Sequence, residues 1–190
     1  MCSPSVIQSA LAGLSRREAK LLRQATALHD VGKIGIPDHV LLKTGPFDQS
    51  DRAIMSTHTT RGARLLAGSS TSLVQMAEII ARTHHERWDG TGYPAGLAGD
   101  DIPLPGRICA ICDVFDALIS KRPYKEAWTM EAALAEIERE SGAHFDPRLA
   151  EHFLRIAPRL YDELSDQPQA DMSGLQPDYA SGDAAGAGAL

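Results

Sequence analysis

Apolar positions recur every three or four residues along most of this chain, and the strict alternation of a half-buried strand is nearly absent. The helical pattern runs from Leu14 to about Tyr161. Ser15 followed by Glu18 is a capping box, and Ala19, Leu22, Ala25 and Leu28 then share one face of a helix that ends over Ala27-Leu28-His29-Asp30. Gly32 to Pro37 breaks that helix, and Thr44-Gly45-Pro46 is a further loop. A second helix is expected over residues 50–66, with His58, Gly62 and Leu65 on one side, and a third over about 72–85. A Gly-, Pro- and Asp-rich loop follows over 88–105, then helices over about 106–120, 129–141 and 147–157. The pattern predicts an all-α bundle with one long loop, and a loop of that length in a compact domain is usually functional or disordered. Past Asp162, Pro, Gly, Ala, Ser and Asp dominate, a composition that cannot bury enough apolar surface to order itself. The expected organisation is one domain over residues 1–161 and a flexible, disordered C-terminal tail over 162–190.

Composition narrows the function classes. A formal net charge of -6 opposes any polyanion, so such a ligand needs locally placed cations or metal, and the balance argues against a general binder of polymeric nucleic acid. No apolar run is long enough for a bilayer, and the N-terminus lacks a basic-then-apolar leader, so the expected location is cytoplasmic, away from the membrane. Cys109 and Cys112 have CxxC spacing, but they sit in an apolar run with no second CxxC and read as small buried residues on a helix.

The polar residues that interrupt this apolar pattern are chemically selective. His29-Asp30 ends one helix, with Lys33 one turn on; His58 lies mid-helix between Thr57 and Thr59. His84-His85-Glu86 closes another helix, and Asp113 and Asp116 lie one turn apart on a segment otherwise made of Ile, Ala, Val, Phe and Leu. Imidazole with carboxylate suits iron, manganese or zinc, and bundles build metal sites from inward ligands on several helices. An adjacent Asp can bridge two ions. Each group alone has an ordinary explanation: a satisfied core histidine for His58, imidazolium on a helix C-terminus for His84-His85, hydrogen bonds across helices for the aspartates. Their succession on consecutive helices argues for one shared site.

That succession resembles the HD superfamily of metal-dependent phosphohydrolases, and the resemblance narrows to its HD-GYP subfamily. His84-His85-Glu86-Arg87-Trp88-Asp89-Gly90-Thr91-Gly92-Tyr93-Pro94 matches the HHExxDGxGYP signature, and His29-Asp30-Val31-Gly32-Lys33 matches HDxGK. Asp113-Val114-Phe115-Asp116, Arg122-Pro123-Tyr124-Lys125 and Phe145-Asp146-Pro147 match later blocks in order. The resemblance implies an HD-type helical bundle that hydrolyses cyclic di-GMP to pGpG and on to GMP in bacterial second-messenger signalling. It implies two divalent metal ions, iron or manganese, held by His29, Asp30, His58, His84, His85 and Asp113, with Asp30 bridging and Lys33 beside the site. Arg122 and Lys125 would meet the phosphates, while Tyr124 is read as a packing residue.

Within the loop, Gly90 and Gly92 permit backbone conformations closed to other residues and Pro94 fixes the exit. Trp88 and Tyr93 look like exposed aromatics, a candidate partner surface, and the resemblance implies contact between the Gly92-Tyr93-Pro94 loop and GGDEF-domain cyclases. The family also has an earlier helix bearing a further histidine, and its spacing would put that residue before Met1. The resemblance therefore implies an N-terminally truncated domain with an incomplete first helix, cut from a longer protein with an upstream sensory or receiver domain. The competing reading is a catalytically degenerate module that binds cyclic di-GMP or a cyclase without turnover.

Overall fold

The computed structural model describes residues 14–120 and 127–165, the last eight of these as helical backbone. The described residues form α1 (Arg16–Thr26), α2 (Asp38–Leu41), α3 (Gln49–Leu66), α4 (Ser72–Thr83), α5 (Leu104–Ile119), α6 (Met130–Arg139) and α7 (Pro147–Ser165), with 3-10 turns at Val31–Gly35 and Gly99–Asp101. No strand is present among them, and Ser141 and Phe145 form an isolated bridge. The expected all-α bundle is what forms. No helix of the described residues is long and apolar enough to cross a membrane.

Local chemistry sets the helix starts. The Ser15 Oγ accepts from the Glu18 N–H at 3.3 Å, and the Ser15 N–H donates to Glu18 Oε2 at 2.8 Å, the reciprocal box expected from the sequence. Asp48 and Asp51 form the same box at the head of α3, one residue earlier than expected, because the pair satisfies two orphan N–H groups there. Asp51 is buried and also receives the Lys43 ammonium.

Three features differ from the expected pattern. The stretch after α1 is no simple break: the N–H groups of His29 and Val31 donate to the carbonyls of Thr26 and Leu28 at 3.1 Å each, so the chain tightens into 3-10 geometry. Leu65, expected on the same side as His58, is exposed instead, because it lies in the last turn of α3, beyond the crossing of the Val31–Gly35 turn at Gly62. Helix α7 runs on to Ser165, past the expected end at Ala157. The segment before Leu14, Tyr124, and the tail from residue 166 lie outside the described residues.

The core joins Leu22 of α1, Ile80 of α4, Ile108, Ile111 and Phe115 of α5, Ile137 of α6 and Phe153 of α7, with Phe115 and Phe153 meeting edge to face at 5.0 Å. Cys109 and Cys112 are buried on α5, as their apolar setting suggested. Two glycine crossings then bring the polar positions together. A Cβ on Gly32 would lie 2.0 Å from the His58 carbonyl oxygen and 2.4 Å from the Gly62 nitrogen, and one on Gly106 would lie 2.2 Å from Thr83 Oγ1. The first crossing lays the His29-Asp30 segment on α3; the second lays the start of α5 on the end of α4.

Because its obstacle is backbone, Gly32→Ala is expected to destabilise the fold by roughly 1–3 kcal/mol or more, read as a lower thermal midpoint. Gly45→Ala, where a Cβ meets nothing within 4 Å, should leave the midpoint unchanged.

Candidate metal centre

The last turn of a helix carries carbonyls with no intrahelical partner. In α1 and α4 histidine rings donate to carbonyls of that turn, beside the backbone N–H groups that reach Thr26 and Ile80. His29 Nδ1 donates to the Thr26 carbonyl at 2.8 Å, and His84 Nδ1 to those of Ile80 and Ala81 at 3.0 and 3.2 Å. Within α3, His58 Nδ1 donates to the Met55 carbonyl at 2.7 Å. A carbonyl only accepts, so Nδ1 carries the hydrogen in all three rings, and each Nε2 is turned toward the same point.

What gathers there is a set of acceptors. His58 Nε2 and His84 Nε2 stand 3.3 Å apart, and Asp30 Oδ1 lies 3.4 Å from the first and 3.9 Å from the second. Burial lowers His58 and lowers His84 to about 4, leaving both neutral with lone pairs inward. This replaces the idea of an imidazolium on a helix dipole. Asp30 Oδ1 is buried with no hydrogen-bond partner among the described residues. Lone pairs facing one another, beside an orphaned carboxylate oxygen, suit a cation, and imidazole with carboxylate is the donor chemistry of a divalent transition metal.

Two groups of potential ligands have donor atoms within 4.8 Å of one another: His58, His84 and His85, and His29, Asp30 and His84. They share His84. Asp113, on α5, reaches the cluster through His29, with Oδ1 3.6 Å from His29 Nε2. Burial opposes charge on His29, but the Asp113 and Asp30 carboxylates outweigh it and raise the ring to about 10. Burial likewise pushes Asp30 up, but His29 and Lys33 overcome it and hold the carboxyl well below the usual range. Lys33 Nζ sits 2.5 Å from Asp30 Oδ2. His85 is lowered to about 3 by burial and by the neighbouring His84 and His58. Thus His29, Asp30, Lys33, His58, His84, His85 and Asp113 converge, while Arg122 and Lys125 lie outside the described residues.

The loop after His85 is tied down, which its composition did not reveal. The buried Glu86 accepts the N–H groups of Ala95 and Leu97 at 2.8 and 3.0 Å. Trp88 lies within 5.7 Å of the Arg107 guanidinium and 5.5 Å of the Arg148 guanidinium, and both arginines bind Asp100 and Asp146. Tyr93 stacks on His85 at 4.9 Å, and its hydroxyl is pushed up to about 12 by burial and by the Asp30 and Asp113 charges. Neither aromatic is the freely exposed side chain that loop composition suggested. Gly90, at φ +80°, has the left-handed backbone expected of it; Gly92 is needed for space, since a Cβ there would lie 2.3 Å from the Arg87 nitrogen. The Tyr93–Pro94 peptide is cis.

Residues 7–149 match the family described as HD domain. The chain belongs to that family. Its His84-to-Pro94 signature puts it in the HD-GYP branch. This HD domain is 52% identical over 148 residues to the "cyclic di-GMP phosphodiesterase response regulator RpfG" of Xanthomonas campestris pv. campestris, covering 78% of this chain and 39% of that one. It is 51% identical over 144 residues to the "3'3'-cGAMP-specific phosphodiesterase 2" of Vibrio cholerae, covering 76% and 28%. With the "cyclic di-GMP phosphodiesterase" of Thermotoga maritima it shares 44% over 161 residues, covering 85% and 44%. The chain thus spans less than half the length of these relatives. Bd1817, an HDG"Y"P protein of Bdellovibrio bacteriovorus, superposes with a TM-score of 0.63 at 22% identity over 83% of this chain and 51% of that one, a likeness of fold.

Glu86→Gln should loosen the loop, because one of two buried acceptors becomes an NH2 group facing an N–H, at a cost of roughly 1–3 kcal/mol. Amide hydrogen exchange at Ala95 and Leu97 should quicken; unchanged protection would show that the carboxyl clamp is dispensable.

Proposed function

We propose that this HD domain is a metal-dependent phosphodiesterase that hydrolyses cyclic di-GMP to pGpG and onward to GMP. The observation behind this reading is the convergence of inward histidine lone pairs on the orphaned Asp30 Oδ1. His29, Asp30, His58, His84, His85 and Asp113 would hold a pair of ions, iron or manganese, with Asp30 as the shared ligand; the donor atoms of His58, His84 and His85, and of His29, Asp30 and His84, lie within 4.8 Å of one another. Divalent metal bound there would supply an acidified water and polarise the phosphoryl oxygens.

The chain's own residues do the rest. The Thr26, Met55 and Ile80 carbonyls hold three imidazoles in one tautomer, and such outer partners are commonly worth 10- to 100-fold in metal affinity or activity. Lys33 holds Asp30 Oδ2 and so directs Oδ1 at the histidines; being partly exposed, it also offers charge to an incoming phosphate. Acidic Asp30 and Asp113 beside a polyanionic substrate demand that compensation. The substrate choice follows the relatives, whose names give cyclic di-GMP and 3'3'-cGAMP.

Purified anaerobically with iron or manganese, the chain should bind about two ions, counted by mass spectrometry, and release pGpG from cyclic di-GMP in a chromatographic assay. Asp30→Ala should lose metal and hydrolysis together while keeping the helical circular dichroism signal. Full metal content in that variant would refute the bridging assignment. Full metal in the parent chain with no product would leave a binding module in place of an enzyme.

A further inference from the structure

Phe47, Arg52, Ala53, Met55, Ser56 and Tyr93 line a cleft of about 550 Å3, inside the roughly 300–1,000 Å3 typical of ligand sites. Two links join it to the metal centre. The Met55 carbonyl accepts from His58 Nδ1 at 2.7 Å, and the Tyr93 ring stacks on His85 at 4.9 Å. A molecule seated in this cleft therefore touches residues that orient two of the centre's imidazoles.

The lining is suited to a flat, mostly apolar body with one polar edge. Phe47, Ala53, Met55 and Tyr93 supply apolar and aromatic surface, while the Ser56 hydroxyl donates to the Ala53 carbonyl at 2.9 Å. Arg52 Nε donates to the Phe47 carbonyl at 3.2 Å, which anchors the guanidinium at the cleft. A guanidinium offers only donors. Guanine presents two adjacent acceptors, O6 and N7, whereas adenine presents N7 beside an amino donor that repels a second N–H.

We propose that this cleft is a base subsite, in which a guanine packs among Phe47, Met55 and Tyr93 and Arg52 reads its O6 and N7. The proposal rests on the cyclic dinucleotide reading above and adds a requirement to it: a good substrate carries at least one guanine. Cyclic di-GMP and 3'3'-cGAMP both satisfy that condition, and cyclic di-AMP does not.

The test uses the full chain loaded with manganese, as wild type, Arg52→Met and Arg52→Lys. Calorimetric titration with GMP and with AMP reads the cleft when there is no diester to cleave. Wild type should prefer GMP on the order of tenfold, and both variants should lose that preference, because lysine keeps the charge but not the fork. In steady-state assays both variants should raise KM for cyclic di-GMP by about the same factor, with the loss in KM and not in kcat. Equal binding of GMP and AMP by wild type would overturn the guanine assignment, and an Arg52→Lys protein indistinguishable from wild type would overturn the two-bond contact. If wild type does not cleave cyclic di-GMP, the phosphodiesterase reading fails, and the nucleotide preference in the calorimeter still decides the cleft.

Discussion

Gly32 lies against the backbone of α3, where a Cβ would stand 2.0 Å from the His58 carbonyl oxygen. No side chain fits there, so the turn after α1 can rest directly on α3, and Gly62 keeps the opposite surface equally bare. Through that crossing Asp30 Oδ1 comes within 3.4 Å of His58 Nε2, although the two residues belong to different elements. Gly106 plays the matching part for α4 and α5, against Thr83, and thereby sets Asp113 across from the end of the helix that carries His84 and His85. Two places without a side chain position the residues that carry the chemistry.

Given that framework, the rest of the centre follows from hydrogen-bond accounting. In the last turns of α1 and α4 the Thr26 and Ile80 carbonyls accept the backbone N–H of His29 and His84, and the rings of the same two histidines add a second donor through Nδ1. The bond fixes each tautomer and leaves Nε2 as the inward atom. Burial lowers His84 and His85, so the neutral ring of His84 is held at the helix end through Nδ1 while Nε2 stays free to face the cluster. At His29 the Asp113 and Asp30 carboxylates outweigh burial and raise the ring, so a metal ion bound there would displace the Nε2 proton.

The long loop obeys the same accounting. Its composition signals irregular backbone, and irregular backbone near a buried centre needs partners for its N–H groups. Glu86 provides two acceptors from inside, while Trp88 lies against the guanidiniums of Arg107 and Arg148, whose charges are balanced by Asp100 and Asp146. The loop is therefore a bound part of the HD domain, and Tyr93 serves both His85 and the neighbouring cleft.

Much of this was legible from residues alone. Helical periodicity named the bundle, the Ser15-Glu18 box marked the first helix start, and the order His-Asp, His, His-His, Asp marked the centre, because local propensity and ligand chemistry are properties of short segments. The sequence did not disclose that Gly32 and Gly106 are contact points, that Leu65 faces outward, or that Gly92 is needed for space. Nor did it pair Glu86 with Ala95 and Leu97, or Arg107 with Asp146. Each of those depends on which surfaces meet after the helices pack, and the one-dimensional pattern carries no distance between residues far apart in the chain. The donor types were set by sequence; which way each nitrogen and oxygen faces was decided only when tertiary packing brought the helix ends together.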